Sequence, residues 1–361
     1  MENIRKCALA TAVAAATLSG PGNAHAQAAA TRQEIASVVS RAAAEIDAKY
    51  VDASVARAMA DTLRRKLARG GYAAVTELRA LCDILSADVQ RVSHDLHLRF
   101  VYSAEPRDVS REGAATDTAG EGAYMEQVRA EGLTRNFGFD QVARLPGNIG
   151  YVRLSTFFPL EHGRDVADAA MRFLASTDAI IVDLRGNSGG SPDMVGHLMR
   201  YFVTDTTVLG TVYDRLTDRT TTNRIVPIVG SVWYRAKPAY VLLDSTIFSA
   251  PEAFAYNLQS LGRVVVVGER TRGGAHVTTS WVIDPHVEIR IPHERGTNTR
   301  TGADWEGAGV VPQIPASRAM ALIAAQIAAL TRLLEQPSAS ELAEERKAAL
   351  ARLEGASRGR H

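Results

Sequence analysis

The segment Phe248-Ser249-Ala250-Pro251-Glu252 follows an apolar run, Ala239 to Leu243, and precedes a helical pattern from Ala250 to Leu261. A serine at such a strand-to-helix junction is placed for nucleophilic attack. The first free N–H groups of the helix and its dipole favour an oxyanion beside it. The same residues also read as an ordinary N-cap, with Glu252 at the capping-box position. A second segment, Asp183-Leu184-Arg185-Gly186-Asn187-Ser188-Gly189-Gly190-Ser191-Pro192, likewise links an apolar run to a helical one. Its paired glycines let backbone N–H groups approach a ligand closely, as in an oxyanion loop, or make a tight turn. Gly186 to Gly190 also fits the G-x-S-x-G nucleophile elbow, so Ser188 is a rival nucleophile for an esterase. No His-Gly-Gly-Gly segment lies upstream to complete that site.

These segments need a scaffold. Ala179 to Leu184, Ala239 to Leu243 and Val264 to Val267 are nearly all apolar, which suits strands buried on both faces. Val166 to Leu174, Met194 to Phe202 and Ala250 to Leu261 read as helices between them, and Ile149 to Leu154 as a further strand. Strands alternating with helices predict a layered α/β domain. Trp281 to Pro292 alternates as a half-exposed strand or hairpin. Ahead of this core, Ile35, Val38, Val39, Ala42 and Ile46 recur at helical spacing. Ser54 to Ala68 is a second helix, stopped by Gly70-Gly71, and a third starts at Val75. Together they predict a small helical bundle over 31–92, followed by a core over 93–316. A terminal helix from Ala319 to Leu334 and a charged, Ala-rich segment from Pro337, a helix or a loose tail, complete 317–361. His94 to Tyr102 reads as a loop entering a strand, and Arg107 to Gly122 as a loop.

The chain has 361 residues, 46% of them hydrophobic, and a formal net charge of +1. That is ample for one large core, and it gives no long-range field toward nucleic acid. No apolar run in the body approaches the roughly 20 residues of a membrane span, so stable membrane insertion is not expected. Arg5-Lys6, the apolar stretch Ala8 to Leu18 and Ala24-His25-Ala26 predict a signal peptide over 1–26, and hence a periplasmic or secreted protein. Cleavage would leave Cys82 alone, which permits no internal disulfide. Neither His286 nor His293 has metal-ligand spacing. With no phosphate loop, paired cysteines or cofactor motif, a hydrolase without metal or cofactor is the natural reading.

Several motifs, in order along the chain, carry a resemblance. Asp183 to Gly190 resembles the D-L-R-x-N-x-G-G segment of the tail-specific, or carboxyl-terminal processing, proteases. Phe248 to Ala255 resembles their F-S-A-x-E-x-F-A nucleophile segment. Val267-Gly268-Glu269-Arg270-Thr271, with Gly273-Gly274-Ala275-His276, is similar to the V-G-E-x-T-x-G-G-A-H run of one branch, that of the interphotoreceptor retinoid-binding protein modules. Asp95-Leu96-His97-Leu98, Asn148 to Tyr151 and Trp305 to Pro312 fit the same branch.

The resemblance implies a crotonase-like core, layered ββα units in a spiral, acting on peptides or unfolded proteins. It makes Ser249 the nucleophile and the N–H groups of Gly190 and Ala250 the oxyanion hole. Many members carry a catalytic Lys where this chain has Gly274, and the next Lys after Ser249 is Lys347. A related core uses a His upstream and a Glu downstream of the serine, which His97 and Glu306 match. His276, in the loop near the missing Lys, is a second candidate base. Glu306 would orient the histidine or bind the substrate terminus, Asp95 would orient a histidine or close a turn, and Arg185 would tie down the glycine loop through a carboxylate. Pro251 and Leu96 depart from the family pattern. No PDZ-like segment precedes the core, which puts strict tail specificity in doubt. Retinoid-binding relatives keep the fold without catalysis, so a lipophilic-ligand-binding module is the alternative reading.

Overall fold

The computed structural model describes residues 30–107, 118–228, 234 and 236–358; the expected signal segment 1–26 lies outside them. Three helices open the described chain: α1 (Arg32–Lys49), α2 (Ala53–Ala68) and α3 (Leu78–Ser93). The first starts at a capping box, the Glu34 N–H donating to Thr31 Oγ1 at 3.1 Å and the Thr31 N–H to Glu34 Oε2 at 3.3 Å. Asp52 caps α2 through the Ser54 and Val55 N–H groups, and His94 ends α3 in the left-handed conformation. The helices do not close a core among themselves. Ile35, Val39, Ile46, Met59, Leu63, Leu81 and Leu85 share one buried cluster with Leu98, Phe100, Ile283, Val287, Ile289 and Ile291 of a sheet beneath them.

That sheet contains β1 (Arg99–Tyr102), β5 (Thr207–Asp214), β6 (Arg219–Ile225), β9 (Val277–Asp284) and β10 (Val287–Asn298). Its path is β1-β10-β5-β6, with β9 hairpinned onto β10. The second sheet runs β11-β8-β7-β4-β3-β2, from Ile314–Pro315, Val265–Gly268, Ala239–Leu243, Ala179–Asp183, Ile149–Leu154 and Phe139–Leu145. All its pairs are parallel except the β2–β3 hairpin. One face is covered by α5 (Leu160–Phe173), α6 (Pro192–Met199) and α7 (Ala250–Ser260), the other by α8 (Ala321–Leu334) and α9 (Ser340–Arg358). Burial on both faces explains why β4 and β7 consist of apolar residues, apart from the Asp183 that ends β4. This is the expected α/β core of ββα units under a helical N-terminal layer.

Three features go beyond the sequence reading. Part of the Arg107–Gly122 loop lies outside the described residues, but Thr118 already begins helix α4 (Thr118–Thr134). The charged C-terminal tail is the helix α9, fastened where Arg346 reaches Asp178 at 2.5 Å and the Gly147 carbonyl at 3.2 Å. The β5–β6 hairpin has no counterpart in the sequence reading: β6 is exposed at every position but Ile225, so no apolar alternation marks it. Among the described residues, no helix is long and apolar enough to cross a membrane.

Candidate active site

In an open parallel sheet, ligands bind beyond the carboxyl ends of the strands. The glycine loop leaves β4 and the Ser249 turn leaves β7, and these two strands are hydrogen-bonded neighbours. The loops therefore meet: a Cβ placed on Gly189 would stand 3.9 Å from Ser249 Cβ. Ser249 has φ +73°, a strained conformation for a residue with a side chain. It sits immediately before α7, whose first turn contains Pro251, so the Ala250 N–H is a free helix-start donor next to the hydroxyl.

Glu252 holds this strain in place. Its side chain is fully buried, and burial raises its pKa, but four donors surround the carboxylate. Oε2 accepts from the Ser249 N–H at 2.7 Å and the Gly274 N–H at 2.8 Å. Oε1 accepts from the Gly273 N–H at 2.7 Å and the Thr271 hydroxyl at 2.5 Å. The residue read as a helix cap thus pins the nucleophile's backbone to the 271–274 loop. Glu252→Gln turns an NH₂ toward at least one N–H donor in either amide orientation. We expect about 3 kcal/mol of lost stability, as for a buried charged hydrogen-bond set, read as a lower Tm together with reduced turnover.

The glycine loop is equally constrained. Asp183 accepts from the Arg185 guanidinium (Nε–Oδ1 2.8 Å, Nη2–Oδ2 2.5 Å) and from the Tyr151 hydroxyl at 2.7 Å. Arg185 therefore takes the predicted role. Asn187 bridges the Leu154 carbonyl and the Gly189 N–H at 2.8 and 2.9 Å. The Phe157 N–H donates to the Gly189 carbonyl at 2.8 Å, and the Ser191 N–H to the Phe157 carbonyl at 2.7 Å. Those two bonds flank Gly190 without using its N–H.

Ser188 is placed differently. Its hydroxyl bonds Thr156 Oγ1 and its N–H donates to the Ser155 carbonyl. It is exposed and lacks the positive φ of Ser249.

The histidines arrive from the other sheet, His97 just before β1 and His276 just before β9. The His97 ring lies 4.3 Å from the ring of Phe248, the residue preceding Ser249. Its Nδ1 is 3.9 Å from Asp95 Oδ1, and burial lowers its pKa to about 4 against the opposing pull of Asp95. It is a neutral imidazole. His276 is the opposite case. Its Nδ1 is 2.7 Å from Asp95 Oδ2 and 3.7 Å from Glu306 Oε2, and its Nε2 is 3.8 Å from Asp304. Burial works against the charge, but these carboxylates prevail and raise its pKa. Asp95 thus orients the ring through Nδ1, and its Nε2 makes no hydrogen bond among the described residues. Asp95 does both things weighed for it: it orients His276, and it closes a turn by accepting the His97 N–H at 2.9 Å.

Glu306 is fixed through Oε2 by the Ala275 N–H at 2.6 Å, and burial raises its pKa to about 7. Its Oε1 and the Nδ1 of His97 are buried, with no hydrogen-bond partner among the described residues. A Cβ on Gly274 would fall 2.2 Å from the Phe248 ring, so the position of the family's lysine is filled by that ring. Lys237 is far from this chemistry, donating to the Ala175 and Thr177 carbonyls.

Comparison with known proteins agrees with this architecture. The family model described as peptidase family S41 matches residues 148–316. A second, the N-terminal domain of that family in eukaryotic IRBP, matches residues 24–135. Among solved structures, a candidate peptidase from Parabacteroides merdae aligns with TM-score 0.54 at 20% identity, covering 80% of this chain and 90% of that one. A lipoprotein from Streptococcus agalactiae aligns with TM-score 0.52 at 14% identity, covering 79% and 92%. At these identities the structural likeness speaks for the fold.

Proposed function

Since the chain belongs to peptidase family S41, a family of serine peptidases, we propose that it is exported and cleaves peptide bonds through an acyl-enzyme on Ser249. The observation carrying this reading is the strained Ser249, held by Glu252 beside the Gly189-Gly190 turn, with a neutral imidazole 4.3 Å from the ring of the preceding residue. His97 takes the Ser249 proton as the hydroxyl oxygen attacks the scissile carbonyl carbon. The Gly190 and Ala250 N–H groups receive the oxyanion. Collapse breaks the C–N bond, and His97 returns the proton to the leaving amine. Water, deprotonated by the same imidazole, then releases the acyl group. No hydrogen bond joins His97 to Ser249 among the described residues, so bound substrate must draw the pair together, as free enzymes often require.

The test is labelling of the mature protein with a fluorophosphonate. Ser249→Ala and His97→Ala should abolish it and Ser188→Ala should leave it intact. Label lost only with Ser188→Ala would sink the Ser249 reading. The pH profile follows from His97. A base works when unprotonated, so kcat/KM rises with pH through its pKa and is flat above. With that pKa lowered to about 4, we expect the acid limb below pH 5. A limb near 7 or above would instead assign control to Glu306 or His276.

One observation favours a second reading, a carrier of lipophilic ligands. The N-terminal match is to a domain named from a retinoid-binding protein, and Phe139, Val142, Val166, Ala169 and Phe173 line an open apolar hollow of about 430 Å³. A carrier would bind a fluorescent lipophile, and Ser249→Ala would neither weaken that binding nor change any other property.

A further inference from the structure

We propose that Asp95, His97 and Glu306 form a binding site for a single zinc ion, and that the ion competes with catalysis. One oxygen or nitrogen from each of these three side chains lies within 4.8 Å of the others. His97 Nδ1 and Glu306 Oε1 are two of the five buried side-chain atoms without a hydrogen-bond partner among the described residues. Buried polar atoms are normally satisfied, and these two belong to residues grouped with the fully buried Asp95.

The side chains are also anchored from behind, as metal ligands usually are. Glu306 is held through Oε2 by the Ala275 N–H at 2.6 Å, and Asp95 through Oδ2 by His276 at 2.7 Å and by the Tyr50 hydroxyl at 3.3 Å. One imidazole nitrogen with two carboxylate oxygens suits zinc, which takes four ligands and would keep a water as the fourth. Calcium and magnesium ask for six or more oxygens, which this buried corner does not offer. The present 3.9 Å between His97 Nδ1 and Asp95 Oδ1 needs only a small ring rotation to reach a common ion. The other histidine–carboxylate group, Asp214, His293 and Glu294, differs in the feature that matters. Both His293 nitrogens are already bonded, to Asp214 at 3.0 Å and Thr279 at 2.9 Å.

The consequence for turnover rests on the reading of His97 as base; the site itself does not. A neutral imidazole carries one proton. Zinc on Nδ1 leaves that proton on Nε2, so no lone pair remains to accept the Ser249 proton. Without the ion, the proton on Nδ1 faces Asp95 and Glu306, and Nε2 is free to act. The ion and the Nδ1 proton thus compete for one lone pair.

The experiment is zinc titration of full mature protein by calorimetry, with cobalt absorption spectra to read the coordination. Wild type and Ser249→Ala should each bind one ion with equal affinity. His97→Ala and Glu306→Gln, checked for folding by circular dichroism, should weaken binding by more than the 10–100-fold that losing an outer-shell partner costs. Asp214→Asn should change nothing. Zinc should inhibit peptide turnover with a midpoint equal to its Kd. No binding at millimolar zinc, binding untouched in His97→Ala and Glu306→Gln, or binding lost in Asp214→Asn would overturn the site. Stoichiometric binding without inhibition of an active enzyme would overturn the competition. A protein that binds zinc and cleaves no peptide would leave the site standing and count against the peptidase reading.

Discussion

Replacing Ser249 by alanine should lower peptide turnover by about 10⁶-fold and leave the fold unchanged, as nucleophile removal does where a serine and histidine act as a unit. The substitution deletes one oxygen. Alanine keeps a Cβ on the same backbone, so the strain at φ +73° is neither relieved nor increased. The buried Glu252 still receives the backbone N–H of position 249. Melting temperature should therefore move little while kcat collapses and KM stays near its wild-type value. His97→Ala should cost nearly as much, and the double variant no more than either single one, because a base without its nucleophile has nothing to deprotonate. Additive losses would mean that Ser249 and His97 serve separate steps. A Ser249→Ala enzyme that still turns over would return the chemistry to Ser188, whose own alanine variant should otherwise match wild type.

The parts of this site that the sequence made legible are those set by local chemistry. Apolar runs buried on both faces identified the parallel strands, and two polar segments following such runs marked the carboxyl edge where Ser249 and the glycine loop lie. Arg185 and Asp183 are two residues apart, and their pairing follows from the turn between them. What stayed hidden depends on chain return. Glu252 has the spacing of a capping box. Its bonds to Thr271, Gly273 and Gly274 exist because β8 delivers that loop against α7. His97 was the first candidate base in sequence and His276 the second; that Asp95, 181 residues from His276, bonds the His276 ring and the His97 N–H could not be read from spacing. The β5–β6 hairpin escaped for the reverse reason. Its outer strand meets solvent nearly throughout, so arginine and threonine satisfy it as well as any alternation would.

Gly190→Ala tests the oxyanion side, and its effect should be the largest of any single-methyl change in the site. Gly190 has φ +134°, and a Cβ there would lie 2.0 Å from the Phe157 carbonyl oxygen. Real atoms do not approach so closely, and neither partner is free to withdraw. Phe157 is bonded on both sides of the contact, by its N–H to Gly189 at 2.8 Å and by its carbonyl to Ser191 at 2.7 Å. The added methyl must break that bridge and rotate the peptide that presents the Gly190 N–H. Losing one oxyanion donor costs about 10²–10³ in kcat, and an ångström of displacement in the loop adds to it. Gly189→Ala is the control. Its φ of +98° imposes similar backbone strain, but its Cβ meets nothing nearer than the Phe248 carbonyl oxygen at 3.7 Å. Both variants should lose stability, since an L-residue is strained at either φ. Only Gly190→Ala should lose kcat out of proportion to that, with KM little changed, because the oxyanion forms in the transition state and not in the bound substrate. Equal kcat for the two variants would remove the Gly190 N–H from the oxyanion hole and leave the Ala250 N–H to hold the charge alone.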